Sequence, residues 1–419
     1  MLDQTDKDVA RALLSPRSVA LIGASGDEGK NTARPLRYLR KHGFDGGVFP
    51  VNAGRAEVLG EKAWPDLMSA AKDAGGSIDH AYVMVPKAAV PQVIQDCAEA
   101  GVKVASIYSD GFAEAGEDGV RFQHDMVTAA RAGGVRIIGP NSMGVVNVQT
   151  GMGMTTNAAL ETPDLIPGPF SVISQSGTAL GALLSRGQAR GFGFSKLLSI
   201  GNESDLSVGE VVDGLVDDPD TGAILLFLET LRRADDLARA ARRAFDAGKP
   251  VIAYKLGRSD AGQRMAESHS GALAGPDEAA TAFFRHHGIL RVDTLEALLE
   301  TPFLVMGRTP LPRPAGAKKK RVAGSGAKRV AVMTTTGGGA SMVVDRLGLA
   351  GIDFARAPAG GVGRRSPPWG PGGGGASAVD LALGGGAVGG RAPAGGGCLA
   401  GVADGGVRGG VVVAGLGPP

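Results

Sequence analysis

A chain of 419 residues exceeds one ordinary domain and has room for two or three separate cores. Its 44 basic and 42 acidic residues nearly cancel, leaving a formal net charge of +2, so no field of one sign selects nucleic acid or an anionic membrane as partner. Two distant cysteines, Cys97 and Cys398, exclude a disulfide framework and a CxxC-type zinc cluster, and apolar stretches such as 223–228 fall far short of the roughly 20 residues that span a bilayer. The expectation is a soluble, cytoplasmic protein with no metal site of its own.

From Ser18 to Asn147 short β-rich runs alternate with helix-like stretches, the pattern of βαβ units on a parallel sheet. Strands are predicted at 19–22, 47–51, 80–85, 102–107 and 135–138. The turn Gly23-Ala-Ser-Gly-Asp-Glu-Gly29 follows the first strand and is expected to open a helix, so that its amides and the helix N-terminus can hold a phosphate. A dinucleotide-binding domain would carry an acidic residue at the end of the second strand. Here that end reads Pro50-Val-Asn-Ala-Gly-Arg55, and an arginine suits a phosphorylated ribose, which both NADP and CoA possess. Between the third and fourth strands, 88–100 places Val90, Val93, Ile94 and Cys97 at helical spacing and is closed by Gly101.

A second alternating block begins at Phe170: strand 170–173, a helix from Thr178, strand 195–200, helix 208–216, strand 223–229, helix 235–247 and strand 250–254. Ser174-Gln175-Ser176-Gly177-Thr178 lies between strand and helix and forms a second anion cradle, with three hydroxyls beside helix N-terminal amides. Ser268-His269-Ser270-Gly271-Ala272 sets a histidine among small residues, where backbone can approach the imidazole and whatever it carries.

Residues 309–328, rich in Pro, Ala, Gly and Lys, lack a hydrophobic period and read as an interdomain linker, its run Lys318-Lys-Lys-Arg321 included. A third unit starts with strand 329–334, the turn Gly337-Gly-Gly339 and helix 341–349. From about Arg356 the chain turns Gly/Ala/Pro-rich, a composition that normally marks low complexity. The apolar islands 378–382 and 410–414 fit instead a third α/β domain with a degenerate sequence, and both readings stay open.

Five segments in order, Gly23–Gly29, Pro50–Arg55, Val85-Pro86, Ser109-Asp-Gly-Phe-Ala-Glu114 and Gly139-Pro-Asn-Ser-Met-Gly-Val-Val-Asn147, resemble the CoA-binding domain of the succinyl-CoA synthetase superfamily. Four more, Ser174–Thr178, Gly201-Asn-Glu-Ser-Asp205, Leu226-Phe-Leu-Glu-Thr230 and Ser268–Ala272, follow in the order of its ligase domain. The chain is thereby similar to ADP-forming acyl-CoA synthetases, in particular to acetate–CoA ligase α subunits. The resemblance covers roughly Leu14 to Met306, and Arg329 to Leu349 more loosely. It implies an α/β fold: a Rossmann-like CoA-binding domain over 11–150, a flavodoxin-like, doubly wound ligase domain over 165–308, the linker 309–328, and a partial third ligase domain over 329–419.

Carried onto this sequence, the resemblance assigns CoA to Gly23, Ser25, Gly26, Asn52, Arg55, Val85, Pro86, Ser109 and Gly111. His269 becomes the phosphoryl carrier, Glu229 the carboxylate supporting it, and Ser174, Gln175, Ser176, Gly177, Ser270 and Gly271 the phosphate cradle. The implied reaction interconverts acyl-CoA, ADP and phosphate with a carboxylic acid, CoA and ATP through an acyl phosphate and a phosphohistidine. A neutral imidazole can attack phosphorus while a carboxylate on its other nitrogen fixes the tautomer. No Walker-type GxxxxGK[ST] occurs. The resemblance implies that ATP/ADP and Mg²⁺ sit on an ATP-grasp partner, either a β subunit or a fused domain, within an oligomer. The rival readings are a CoA-binding regulatory protein or the scaffold part of a protein acetyltransferase, and an NADP-dependent oxidoreductase.

Overall fold

The computed structural model describes residues 4–258 and 277–307, together with the strands Val332–Met333 and Val412–Val413. The chain divides into two compact units, Met1–Pro312 and Arg313–Pro419. In the second, Val332–Met333 pairs in parallel with Val412–Val413, so the apolar island 410–414 contributes a strand. The predicted linker 309–328, glycine turn 337–339, helix 341–349 and island 378–382 lie outside the described residues.

The first unit opens with helix α1 (Gln4–Leu14), strand β1 (Ser18–Ile22), helix α2 (Arg34–Lys41) and strand β2 (Gly47–Val51). A short hairpin, β3 (Glu57–Val58) and β4 (Glu61–Lys62), leads to α3 (Leu67–Asp73), β5 (His80–Val83), α4 (Val90–Glu99), β6 (Val104–Ile107), α5 (Glu117–Ala132) and β7 (Arg136–Ile138). The strands form a parallel sheet in the order β2-β1-β5-β6-β7. Every residue of β5 and β6 is buried, as expected of strands covered by helices on both faces. On α4, Val90, Ile94 and Cys97 fall at four- and three-residue spacing, one face of a helix, and meet Ala70 of α3 and Met126 of α5 in one core. Burial pushes the Cys97 thiol up, so it stays protonated and inert.

The second sheet is built from β8 (Gly144–Asn147), β9 (Met152–Thr155), β10 (Pro167–Ser174), β11 (Phe194–Ser199), β12 (Ala223–Leu228), β13 (Val251–Lys255) and β14 (Leu290–Val292). Its order is β14-β13-β12-β10-β11-β8-β9, with β8 and β9 antiparallel to their neighbours and the rest parallel. Helices α6 (Gly177–Ala189), α7 (Val208–Asp217) and α8 (Ala234–Asp246) cross between its strands. The run Ala223–Leu228 is apolar and buried from end to end, which marks a central parallel strand.

Numbered by the chain order of their parallel strands, both sheets read 2-1-3-4-5. The order therefore reverses once in each, between β1 and β5 and between β10 and β12. Doubly wound sheets bind ligands in the crevice outside the strand carboxyl ends at such a point.

The two sheets share one core: Val9 and Leu13 of α1 and Leu36 of α2 belong to the same buried cluster as Val208, Val211 and Leu215 of α7. Helices α1 and α7 approach at Gly214, where an added Cβ would stand 3.2 Å from Ala10 Cβ and 3.5 Å from Leu14 Cδ1. Each fully buried leucine there contributes roughly 2 kcal/mol.

Strands β8, β9 and β14 were not expected from the sequence. Four-residue and three-residue runs are too short to display a period. The first also lies inside Gly139–Asn147, a segment read for its ligand chemistry. Its strand, and β9 after it, belong to the second sheet, so the chain crosses between sheets near residue 140.

Candidate functional site

At the first reversal Gly23 leaves β1 with φ 84°, and an added Cβ would lie 2.9 Å from the Met84 carbonyl beyond β5. Only glycine lets the two strand ends approach this closely. Asn52, just past β2, donates from its side chain to the Ala24 carbonyl at 2.9 Å and accepts from the Gly54 amide at 2.9 Å, tying the second strand end to the first turn. Arg55 folds over the same turn: a Cβ on Gly26 would stand 3.0 Å from its guanidinium. On the β5 side the Ser109 hydroxyl donates to the Val85 carbonyl, and Lys87 donates to the carbonyl of Gly111, itself at φ 84°. Gly23, Ser25, Gly26, Asn52, Arg55, Val85, Pro86, Ser109 and Gly111 thus lie on the loops that follow β1, β2, β5 and β6, at the carboxyl ends of the strands.

One local expectation fails. The Gly23 turn does not run directly into a helix, for a single turn of 3-10 helix at Asn31–Ala33 intervenes before α2. The Ser25 hydroxyl accepts the Asp27 amide at 3.0 Å and the Asp27 carboxylate accepts the Gly29 amide at 3.0 Å. These side chains offer the backbone a turn instead of a helix, and Pro35 in the first turn of α2 sets where the helix can begin. Any anion here meets loop amides rather than a helix end.

At the second reversal β10 ends at Ser174 and α6 starts at Gly177, with Ser176 as its N-cap accepting the Ala179 amide at 3.3 Å. The Ser174 hydroxyl donates to the Ser176 carbonyl at 2.6 Å and accepts its amide at 3.1 Å. Two of the three hydroxyls expected in the cradle therefore shape the turn, and the first-turn amides of α6 are the groups with no acceptor inside the helix. Gln175 is also committed elsewhere. Its Oε1 accepts the amides of Glu229 at 2.6 Å and Thr230 at 3.0 Å, and its Nε2 donates to Glu203 at 2.7 Å and to the Thr230 carbonyl at 3.0 Å. So Glu229, one residue beyond β12 and buried, stands directly across the reversal from Ser174–Gly177.

Burial raises the Glu203 carboxyl above its ordinary range, countered by bonds from the Val208 amide and Gln175. Burial likewise lowers Arg232, which lies within coulombic range of both Glu203 and Glu229. In the sequence Glu203 stands out only as a member of Gly201–Asp205; its bond to Gln175 requires the two strand ends to be adjacent, which no local pattern discloses.

The two reversals are joined by Gly139–Asn147 and Gly201–Asp205. Asn202 and Ser204 donate amide hydrogens to the carbonyls of Pro140 and Gly139, at 2.9 and 3.1 Å. The Asn202 side chain also donates to Glu114, whose other oxygen accepts the Gly111 amide at 2.6 Å. Met143 packs on the start of α6, where a Cβ on Gly177 would stand 2.3 Å from its Cγ.

His269, Ser270 and Gly271 lie outside the described residues. The other five histidines stand away from both strand carboxyl ends. His42 follows α2 and His80 begins β5, His124 is on α5, and His286 and His287 end the helix Asp277–His287. His80 is wholly buried, bonded to the Ser106 hydroxyl at 2.9 Å, and burial pushes its pKa down to about 3. Among the described residues no group of three or more His, Cys, Asp or Glu side chains could hold a metal ion, and no helix is long and apolar enough to cross a membrane.

Comparison with known proteins divides the chain along the same two sheets. Residues 17–148 match the family described as CoA binding domain, and residues 167–304 the succinyl-CoA ligase like flavodoxin domain. The α subunit of ADP-forming acetate–CoA ligase I of Pyrococcus furiosus is 36% identical over 286 residues, covering 68% of this chain and 60% of the relative. That of ligase II from the same organism is 33% identical over 345 residues, covering 81% and 69%. Among solved structures, the dinucleotide forming acetyl-coenzyme A synthetase 1 of Ca. Korarchaeum cryptofilum, in complex with phosphate and ADP, is similar with a TM-score of 0.73 and 30% identity, covering 84% of this chain and 71% of that one.

Proposed function

This chain belongs to the ADP-forming acetate–CoA ligase family of the succinyl-CoA synthetase superfamily, and on that premise we propose that it is the CoA-binding, phosphoryl-carrying part of an acid–CoA ligase. The observation that carries this reading is the convergence at the β10/β12 reversal of a helix start built on Ser174–Gly177 with the strand-end acid Glu229.

CoA occupies the first crevice, along Gly23, Ser25, Gly26, Asn52, Arg55, Val85, Pro86, Ser109 and Gly111. A phosphate oxygen attacks the thioester carbonyl; the carbon–sulfur bond breaks, giving an acyl phosphate and CoA. The imidazole of His269 then attacks phosphorus and the carboxylate leaves as the free acid. Glu229 accepts the hydrogen on the other ring nitrogen, holding the tautomer and stabilising the cation that forms. The amides at the start of α6, with Ser270 and Gly271, meet the phosphoryl oxygens where negative charge collects. The nitrogen–phosphorus bond breaks as the group passes to ADP. Nucleotide and Mg²⁺ belong to an ATP-grasp part, on a β subunit or further along a longer polypeptide, and the assembly works as an oligomer in the cytoplasm.

The test is direct. The full chain, an ATP-grasp subunit of the family, labelled phosphate and acetyl-, succinyl- or aryl-CoA are combined, and the chain is expected to take up acid-labile, base-stable label. His269→Ala is expected to abolish it. Label persisting in that variant would move the carrier elsewhere.

A further inference from the structure

We propose that Glu203 is a positioning residue which, acting through the Gln175 carboxamide, fixes the backbone of Glu229 and Thr230 at the second reversal. The inference rests on the reading of Glu229 as the carboxylate behind the phosphohistidine, and it deepens that reading.

Gln175 leaves β10 and spans the gap to the end of β12. Two amide hydrogens, from Glu229 and Thr230, converge on its Oε1, while two acceptors, the Thr230 carbonyl and Glu203 Oε2, face its Nε2. Only one orientation of the amide plane satisfies all four partners. A glutamine so engaged has no donor left for a phosphate; its work is to hold two strand ends in register. Glu203 in turn holds the glutamine. It is 5% exposed, and its other oxygen accepts the Val208 amide at 2.7 Å in the first turn of α7, where the helix N-terminus favours negative charge. Its backbone sits at φ 53°, a region that residues with side chains rarely occupy, and so it is kept there by its surroundings. The preceding residue, Asn202, is bonded to Glu114 at the rim of the first crevice. The clamp on Glu229 is thus anchored in the segment joining both crevices.

The clamp is tested by reversing its polarity. Gln175→Glu sets a carboxylate oxygen against Glu203 and the Thr230 carbonyl, and misplacing a catalytic group by about 1 Å costs on the order of 100-fold in rate. Phosphoryl incorporation into the full chain, supplied with an ATP-grasp subunit, labelled phosphate and whichever acyl-CoA labels the wild type, is expected to fall about 100-fold with CoA affinity unchanged. Glu203→Gln, which turns an amide donor toward Gln175 Nε2, is expected to fall similarly. The double variant Gln175→Glu/Glu203→Gln restores donor against acceptor at the contact between residues 175 and 203 in the opposite sense, leaving only the Thr230 carbonyl opposed, and is expected to recover at least about tenfold over Gln175→Glu, a rescue that generic structural damage would not give. Glu203→Asp, one methylene shorter, withdraws the carboxylate without changing charge and serves if Gln175→Glu does not fold. Wild-type rates in folded Glu203→Asp, or single-variant losses without recovery in a folded double variant, would overturn the inference. Glu229→Gln is measured alongside. If it retains wild-type labelling, the reading of Glu229 falls; if it loses labelling while the Gln175 and Glu203 variants keep theirs, only the clamp falls.

Discussion

On the proposed reading, Arg55 is the residue that separates a phosphorylated ribose from a bare one. The sequence put an arginine where a nicotinamide-dinucleotide site would have an acid, and the structure folds it over Gly26 at the first reversal, exposed and within reach of any anion held by that turn. A charge-assisted hydrogen bond is worth about 1.5–3 kcal/mol, and every 1.4 kcal/mol is a factor of ten. Arg55→Met is therefore expected to weaken CoA binding about 10- to 100-fold while leaving dephospho-CoA nearly unaffected, read by calorimetric titration of both ligands at low salt. Equal losses for the two would assign the arginine to the pyrophosphate or to the shape of the loop. The residues around it were legible because each is a type forced by a local need: glycine for a positive φ, asparagine for an Asx turn, proline after a strand. Gln175 was legible as a member of its segment, but its four protein partners were not, since a carboxamide can serve a phosphate or protein groups equally well, and only the neighbours decide.

At the scale of elements, the strands that were legible are those buried on both faces. A run such as 223–228 can satisfy a central position and nothing else. Helices α4 and α7 were legible from their apolar spacing. The contact between α7 and α8 was not, because it depends on an absence. Gly209 lies in α7 against the start of α8, and a Cβ there would come within 2.3 Å of the Asp236 carbonyl carbon and of the Leu237 nitrogen. Those are backbone atoms and cannot rotate away. In an exposed helix Gly→Ala would add about 1 kcal/mol of helix propensity, but overpacking between elements costs about 1–3 kcal/mol and more where backbone must move. Gly209→Ala is expected to lower stability by about 1–3 kcal/mol net, measured as a fall in denaturant midpoint at unchanged slope. A rise in the midpoint would mean that α7 and α8 are free to separate.

For the whole first unit, the question is whether two sheets with two crevices behave as one body, since in the proposed relay a phosphoryl group made at one crevice is taken up at the other. Their shared core gives non-directional cohesion, and Asp205 adds a fixed register. Its carboxylate is fully buried, although it belongs to the second sheet's loops. It accepts the Ile137 amide of β7 at 2.7 Å, Arg136 at 3.0 Å and Arg131 at 2.6 Å, all from the first sheet's side. Removing that buried carboxylate strands the Ile137 amide and the largely buried Arg136, while Arg131 is half exposed, at about 1–3 kcal/mol. The exposed pair Arg242–Asp246 on α8, an ion pair of 3.1 Å, is worth only about 0.3–0.5 kcal/mol. Asp205→Ala is therefore expected to destabilise the protein several times as much as Asp246→Ala, and calorimetry of the first unit is expected to show one unfolding transition in the wild type and two in the variant as the sheets lose their register. If Asp205→Ala still unfolds in one transition near the wild-type temperature, the shared core alone holds the crevices together, and the relay between them does not depend on this carboxylate.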